Sequence, residues 1–257
     1  MPTITLPLEI KETILELLAE DSHSELKRCS LVCQEFLSIC RKHIFESIAL
    51  NHSEDYEACC PSSPSHAFGR LIHETPEIAD YIRKLDYNIL TADLNSSSIQ
   101  EALKQISRLE FLSVRYRLDW SNSPIRPTLL HLLHLPTLTH FKMNGINDFL
   151  VSDLIPCVNL KYLDIGVYTS VAAETTFHAM EVLPEYSIQL PELVARDLTS
   201  TTIMKFCSAQ RSDGQPIIDF GSLSKITVAV DDLDEPEELQ ELFRRCHALT
   251  NACISCR

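Results

Sequence analysis

The sequence predicts an α+β protein, with a small helical unit at the N-terminus followed by an irregular α/β solenoid built on a curved parallel sheet. Three observations carry this expectation. Apolar residues recur at helical spacing at positions 6, 10, 14, 17 and 18, and again at 26, 29, 33, 36, 37 and 40. From residue 82 onward, apolar triplets spaced three and then two residues apart recur along the chain. Between the two patterns, residues 51–66 are rich in serine, hold Pro61 and Pro64 and show little apolar periodicity, which marks a linker. The expected boundaries are therefore a helical domain over 4–50, a linker over 51–66 and a repeat domain over 67–257.

Pro7 sets the start of the first helix, because the first amides of a helix have no internal acceptor and proline loses nothing there. That helix is expected to run to about Leu18. Asp21 to Glu25 supplies a turn, and Ser22 with Glu25 has the spacing of a capping box for the next helix. The second helical region is expected over about 23–46, with a break near Gln34. Cys29, Cys33, Phe36 and Cys40 fall four, seven and eleven residues apart from the first, which predicts one buried helical face.

The triplets are Ile82, Leu85, Tyr87; Leu109, Leu112, Val114; Leu138, Phe141, Met143; Leu160, Leu163, Ile165; a degenerate Leu193, Arg196, Leu198; and Leu223, Ile226, Val228. Period 2 within a triplet is a strand signature, and the spacing between copies lies close to the roughly 20–29 residues of strand-and-return repeats. Such units bury their apolar sides only against neighbours, hence the stacked parallel sheet. Ile99, Leu103 and Ile106, and later Leu239, Leu242 and Phe243, fit helical return segments. The end, from Leu249 to Arg257, reads as one more strand without a polar cap, as expected of a fragment, a shortened gene product or half of an oligomer. An unclassified mixed α/β domain is the alternative to true repeats.

The order Leu6-Pro7, then Ile10, Ile14 and Leu17, then Leu26, then Cys29-Ser-Leu-Val32-Cys33-Gln-Glu-Phe36, followed by Cys40 to Phe45, resembles the F-box, in the version common in expanded fungal families. Phe36 stands where the family often has tryptophan. The repeats resemble leucine-rich repeats, and an F-box followed by such repeats is a known arrangement. The resemblance implies a non-catalytic substrate receptor of a Skp–cullin–F-box ubiquitin ligase. Leu6, Pro7, Ile10, Ile14, Leu17, Leu26, Val32, Cys33 and Phe36 would face the Skp-type adaptor, and through it a cullin, while the repeats hold a protein substrate. The alternatives are a helical hairpin that merely packs on the repeats and a repeat scaffold that joins no ligase.

Residues between the apolar anchors must face away from the core, which predicts outer rows containing Asp86, Ser113, Lys142, Asp164, Asp197 and Thr227, and beside them Arg115 and Asn144. Arg115 and Lys142 are expected to form a basic patch, with Asp164 and Asp197 as unpaired neighbours, and these four are the candidate substrate-binding residues. The chain has 36 acidic and 22 basic residues and a formal charge of -14, which disfavours a nucleic-acid partner. No apolar run of about 18 residues and no basic-then-apolar leader occur, so neither a membrane span nor secretion is expected, and the compartment is read as cytoplasm or nucleus.

Ten cysteines are then expected to be reduced. Cys29, Cys33, Cys40 and His43 contain four potential zinc ligands, yet helical phase explains the cysteines without a metal. Cys253 and Cys256 with Cys246 and His247 have better zinc spacing but lie in a strand pattern. No metal and no cofactor are expected. His131, His134 and His140 cluster in sequence beside leucines of a return helix, and neither a nucleophile elbow nor a phosphate loop is present, so no catalytic residues are assigned.

Overall fold

The computed structural model describes residues 6–51, 63–172, 184–196, 200–230 and 236–256. Three helices open the chain: α1 (Leu8–Asp21), α2 (His23–Cys29) and α3 (Gln34–Ile44). Pro7 is the N-cap of α1, one position earlier than a first-turn proline. Ser22 ends α1 and caps α2, its Oγ accepting from the Glu25 amide at 3.5 Å. The expected break falls at Ser30 to Cys33, where the Leu31 and Val32 amides reach back to the carbonyls of Arg28 and Cys29. The three helices enclose a core of their own, Leu15, Leu26, Ile39 and Cys40, with Phe36 partly buried against it.

Strand β1 (Ser47–Leu50) follows α3 almost at once and pairs with the later β2 (Lys84–Asn88). The sheet therefore begins inside the segment assigned to the helical domain, just past its expected last helix. Helix α4 (Pro64–Glu74) likewise begins inside the expected linker, with Pro64 in its first turn and the Ser63 hydroxyl accepting from the His66 amide at 3.2 Å. A serine followed by a proline is a helix start as much as a linker feature. The rest of the expected linker, 52–62 with Cys59 and Cys60, lies outside the described residues.

The chain continues with α5 (Ser97–Lys104), β3 (Phe111–Asp119), α6 (Arg126–Leu133), β4 (His140–Asn147), β5 (Tyr162–Ile165), β6 (Ile188–Gln189), β7 (Glu192–Arg196), α7 (Ser200–Ser208), β8 (Ile218–Asp219), β9 (Lys225–Val230), α8 (Pro236–Arg245) and β10 (Asn251–Cys256). The fold is mixed α and β. Eight strands form one sheet in chain order, β1-β2-β3-β4-β5-β7-β9-β10, every pair parallel, and β6 with β8 forms a small second sheet. Amides at the strand starts, such as Phe111, Tyr162 and Lys225, donate to carbonyls just before the preceding strand at 3.0 to 3.1 Å.

Leu85, Leu112, Phe141, Leu163, Leu193 and Ile226 lie level with one another across the sheet. This corrects the fifth repeat. Its triplet is Leu190, Leu193 and Ala195, all buried, whereas Arg196 is exposed and Leu198 lies outside the described residues. A register with Arg196 at the central position would bury an unpaired guanidinium, and the small Ala195 hides the true triplet from a search for large residues. Ile99, Leu103 and Ile106 are fully buried on the return side, as is Leu242 of α8. On β10, at the sheet edge, Ala252 and Ile254 remain exposed on the side that other strands bury.

The return side is tied across units by a polar cluster. Trp120, just after β3, donates its indole N–H to Asp153 Oδ2 at 2.6 Å, and Arg126 of α6 forks onto both oxygens at 2.9 to 3.2 Å. His134 Nε2 lies 2.8 Å from the Asp153 carbonyl oxygen, and the Trp120 ring packs on Phe149. Both members of the ion pair are mostly buried, so removing one leaves an uncompensated charge. Asp153→Ala is expected to lower unfolding free energy by about 3 kcal/mol and to shift the emission of Trp120, the sole tryptophan. Urea denaturation followed by fluorescence checks this, and a loss below about 1 kcal/mol would place the pair among solvated surface bridges.

Candidate functional site

Two surfaces stand out, one on the helical unit and one on the sheet. On α1, Ile10, Ile14 and Leu17 recur at helical spacing on a stripe away from the buried Leu15. Each is about half exposed, as is Leu6, and Val32 in the α2–α3 turn is 69% exposed. Among the described residues, seven of the eleven exposed large hydrophobic side chains lie between positions 6 and 32. Apolar side chains concentrated in this way make the helical unit a candidate interaction surface. Salt bridges Lys11–Glu35 at 2.6 Å and Lys42–Glu12 at 3.8 Å join α1 to α3, leaving the apolar stripe outside that contact.

Of the nine residues expected to face an adaptor, Leu6, Pro7, Ile10, Ile14, Leu17, Val32 and Cys33 are exposed. Leu26 is not available: it is fully buried in the helical core, because α2 turns it toward Leu15 and Ile39. Phe36 is half-buried against the same core, so it supports the surface more than it forms it. The α2–α3 break also separates the cysteines. Cys33 caps α3 and is exposed, Cys29 ends α2 half-buried and Cys40 is buried, so they do not share one helical face.

On the sheet, alternation sends three rows outward. The first holds Lys84, Phe111, His140, Tyr162, Glu192 and Lys225; the second holds Asp86, Ser113, Lys142, Asp164, Val194 and Thr227. Arg115 and Asn144 lie level in the third row, where Arg196 projects from β7. Together Asp86, Arg115, Lys142, Asn144, Asp164 and Arg196 line an open groove of about 340 Å³.

Asp164 organises that groove. Its carboxylate accepts a hydrogen bond from the Tyr162 hydroxyl at 3.3 Å, and one oxygen has the Arg196 guanidinium at 3.4 Å and the Lys142 ammonium at 3.6 Å. Lys142 is held further by the rings of Phe111 and Tyr162, each centroid 5.7 Å from its nitrogen, and His140 stacks on Tyr162 at 5.5 Å. Partial burial, and after it the neighbouring Asp164 carboxylate, push the Tyr162 hydroxyl up to about 12, so it stays a donor at neutral pH. Arg115 pairs with Asp86 on the neighbouring strand.

The expectation of two unpaired, exposed aspartates is therefore corrected. The Asp164 side chain is 8% exposed and shared by two cations, and the residue level with it on β7 is Val194. Asp197 lies outside the described residues. Arg115 and Lys142 do reach one groove, and Arg196, which sequence reasoning placed in the core, completes it. The signal that could have found Arg196 is the apolar Leu190-Leu193 step, which sets the register three residues earlier.

The other candidates do not assemble. His131 is exposed on α6, His134 bonds to the Asp153 carbonyl oxygen, and His140 belongs to the sheet. Cys246 is buried with its thiol donating to the Leu242 carbonyl oxygen at 3.1 Å, while Cys253 is exposed on β10. Among the described residues no group of three or more His, Cys, Asp or Glu is placed to hold a metal ion, and no helix is long and apolar enough to cross a membrane. The interior void beneath β5 and β7, among Leu163, Phe206 and Leu242, measures about 10 Å³, no more than one water molecule would need. No protein-family model matches the chain, and no curated protein is similar to it in sequence.

Burial sets the chemistry of the thiols. It pushes Cys207 up to about 12 despite the nearby Arg245, raises Cys246, and raises Cys157 together with the adjacent Asp153. With Cys59, Cys60 and Cys256 replaced by serine, native protein is expected to show fast reaction with a disulfide reagent at Cys33 and Cys253. Cys40, Cys157, Cys207 and Cys246 should react only on unfolding. Mass mapping of labelled peptides checks this, and rapid native labelling of Cys157 or Cys207 would contradict the packing.

Proposed function

We propose that the chain is the substrate-recognition subunit of a Skp–cullin–F-box type ubiquitin ligase, with the helical unit docking on a Skp-type adaptor and the sheet holding a protein target. The observation that carries this reading is the exposed apolar stripe Ile10, Ile14 and Leu17, with Leu6 and Val32, on a unit that carries the Leu6-Pro7 to Phe36 pattern. A covered surface of that size explains why so many aliphatic side chains face solvent there. The stacked strands are read as irregular leucine-rich repeats, supported by the level row from Leu85 to Ile226 and by helical or 3-10 return segments between many of the strands.

The mechanism in this reading is proximity. Holding a target beside a charged ubiquitin carrier raises its effective concentration, so this chain supplies neither acid, base nor nucleophile and needs no cofactor. The adaptor in turn joins it to a cullin, and the place of work is the cytoplasm or nucleus. A repeat scaffold outside any ligase is the second reading, and co-purification of adaptor with cullin separates the two.

Ile10 and Ile14 are exposed, so charge there tests binding without disturbing the core. Ile10→Asp and Ile14→Asp are each expected to cost about 2 kcal/mol of adaptor affinity, or about thirtyfold in Kd, with the thermal midpoint unchanged. Calorimetric titration of a Skp-type adaptor reads this. Undiminished binding of the double variant would remove the F-box assignment.

A further inference from the structure

The groove on the sheet has a charge pattern unlike that of the chain around it. Its lining holds three cations, Arg115, Lys142 and Arg196, against two carboxylates, Asp86 and Asp164, one net positive charge in a protein of net charge -14. Exposure sharpens the imbalance. The cationic side chains are 49%, 38% and 57% exposed, whereas Asp86 and Asp164 are 27% and 8% exposed. What an incoming group meets is positive, because the negative ends lie beneath.

Two lysines of the first outward row already have carboxylates beside them. Lys225 pairs with Glu192 at 2.7 Å on one side of the groove, and Lys84 lies 4.0 Å from Glu46 on the other. Between those two pairs, the described lining of the groove holds the excess. Lys142 and Arg196 nitrogens sit 3.6 and 3.4 Å from the same Asp164 oxygen, so they can be no farther apart than those two distances together. One oxyanion can therefore bridge both, on a site that the strands and the two rings hold in place.

We infer that this groove takes one carboxylate side chain, an Asp or Glu, from a partner peptide whose neighbouring residues are uncharged. A carboxylate matches the single net charge. A phosphoryl group brings about -1.5 to -2 and would leave excess negative charge against Asp164, which cannot withdraw because it sits on a central strand. Nucleic acid fits less well still. The row of rings that could stack bases is occupied, since His140 lies on Tyr162 and the Phe111 and Tyr162 faces hold Lys142. Asp164, buried beneath them, acts as the positioning residue that holds both cations side by side.

The role of this site as a substrate site rests on the receptor reading, but its chemistry is testable without adaptor. The full chain, immobilised, is offered three degenerate nonapeptide libraries of uncharged residues with the central position fixed as Glu, Gln or phosphoserine, and retained peptides are quantified by mass spectrometry. The Glu library is expected to be retained at least about fivefold over the Gln library and above the phosphoserine library, with the preference fading at high salt. Lys142→Gln with Arg196→Gln, neither in the core, should erase it. Asp164→Asn, which keeps the shape and leaves two net positive charges, should move the preference to phosphoserine. Equal retention of Glu and Gln, stronger retention of phosphoserine by the natural chain, or an Asp164→Asn profile unchanged from the natural one would each overturn the inference. Loss of adaptor binding with the Glu preference intact would instead count against the receptor reading alone.

Discussion

Each strand of the large sheet can bury its inward side chains only if it stands level with its neighbours, and the rest of the structure follows from that register. Leu85, Leu112, Phe141, Leu163, Leu193 and Ile226 form one buried row, and Tyr87, Val114, Met143, Ile165, Ala195 and Val228 the next. A slip of one residue in a single strand would turn its apolar pair outward and drive residues such as Lys142 or Asp164 into the core. The cost of burying those charges exceeds any local preference of the chain, so the register is held by what it keeps out as well as by what it buries. Gly145 shows how tight the arrangement is. It adopts φ +71° beside the irregularity between β3 and β4, where a Cβ would lie 2.7 Å from the Tyr116 carbonyl oxygen.

The same register places the groove. Lys142 and Asp164 occupy level positions on adjacent strands, and Arg196 reaches back to Asp164 from the strand beyond. A carboxylate as buried as Asp164 loses hydration, and a single surface lysine would not offset that loss. Two cations and the Tyr162 hydroxyl together satisfy it, and the rings of Phe111 and Tyr162 remove much of the freedom Lys142 would otherwise have. The outcome is a set of charges held near one arrangement by Asp164 and the two rings. Rigid charges of this kind contribute selectivity more than raw affinity.

Much of this fold was legible in the residues, and the failures have physical causes. The triplets with large side chains, such as Leu109, Leu112 and Val114, declare themselves because period 2 and bulk coincide. Leu190, Leu193 and Ala195 do not, since a methyl group suffices at the third position and the nearby Arg196 and Leu198 offer a false continuation. Strand β1 escaped notice because its four residues follow a helix almost at once and carry just one fully buried side chain, Leu50. Serine and proline at 63–64 suit a linker and a helix start alike, and local chemistry does not choose between the two. In the helical unit, spacing picks out Ile10, Ile14 and Leu17, but it does not reveal that Leu15 and Leu26 belong to the interior while Val32 does not. That distinction depends on how three short helices fold back on one another.

The junction between the helical unit and the sheet bears on how two binding surfaces could work together. From the end of α3 at Ile44 to the start of β1 at Ser47 just two residues intervene, and Phe45 packs on the large core while Ile44 packs on the small one. The Glu46 carbonyl accepts from the amides of both Arg83 and Lys84 at 2.9 Å, and Arg41 of α3 lies 3.7 Å from Glu77, in the 3-10 segment before β2. A flexible linker would let the two surfaces sample many separations, and effective concentration at any one of them falls as the sampled volume grows. A two-residue joint anchored on both sides restricts that volume. If the chain is the receptor proposed above, the distance and direction from adaptor to target would be set by α3 and β1, and substitutions at Phe45 or Glu46 would bear on transfer geometry even though neither residue lies on either surface.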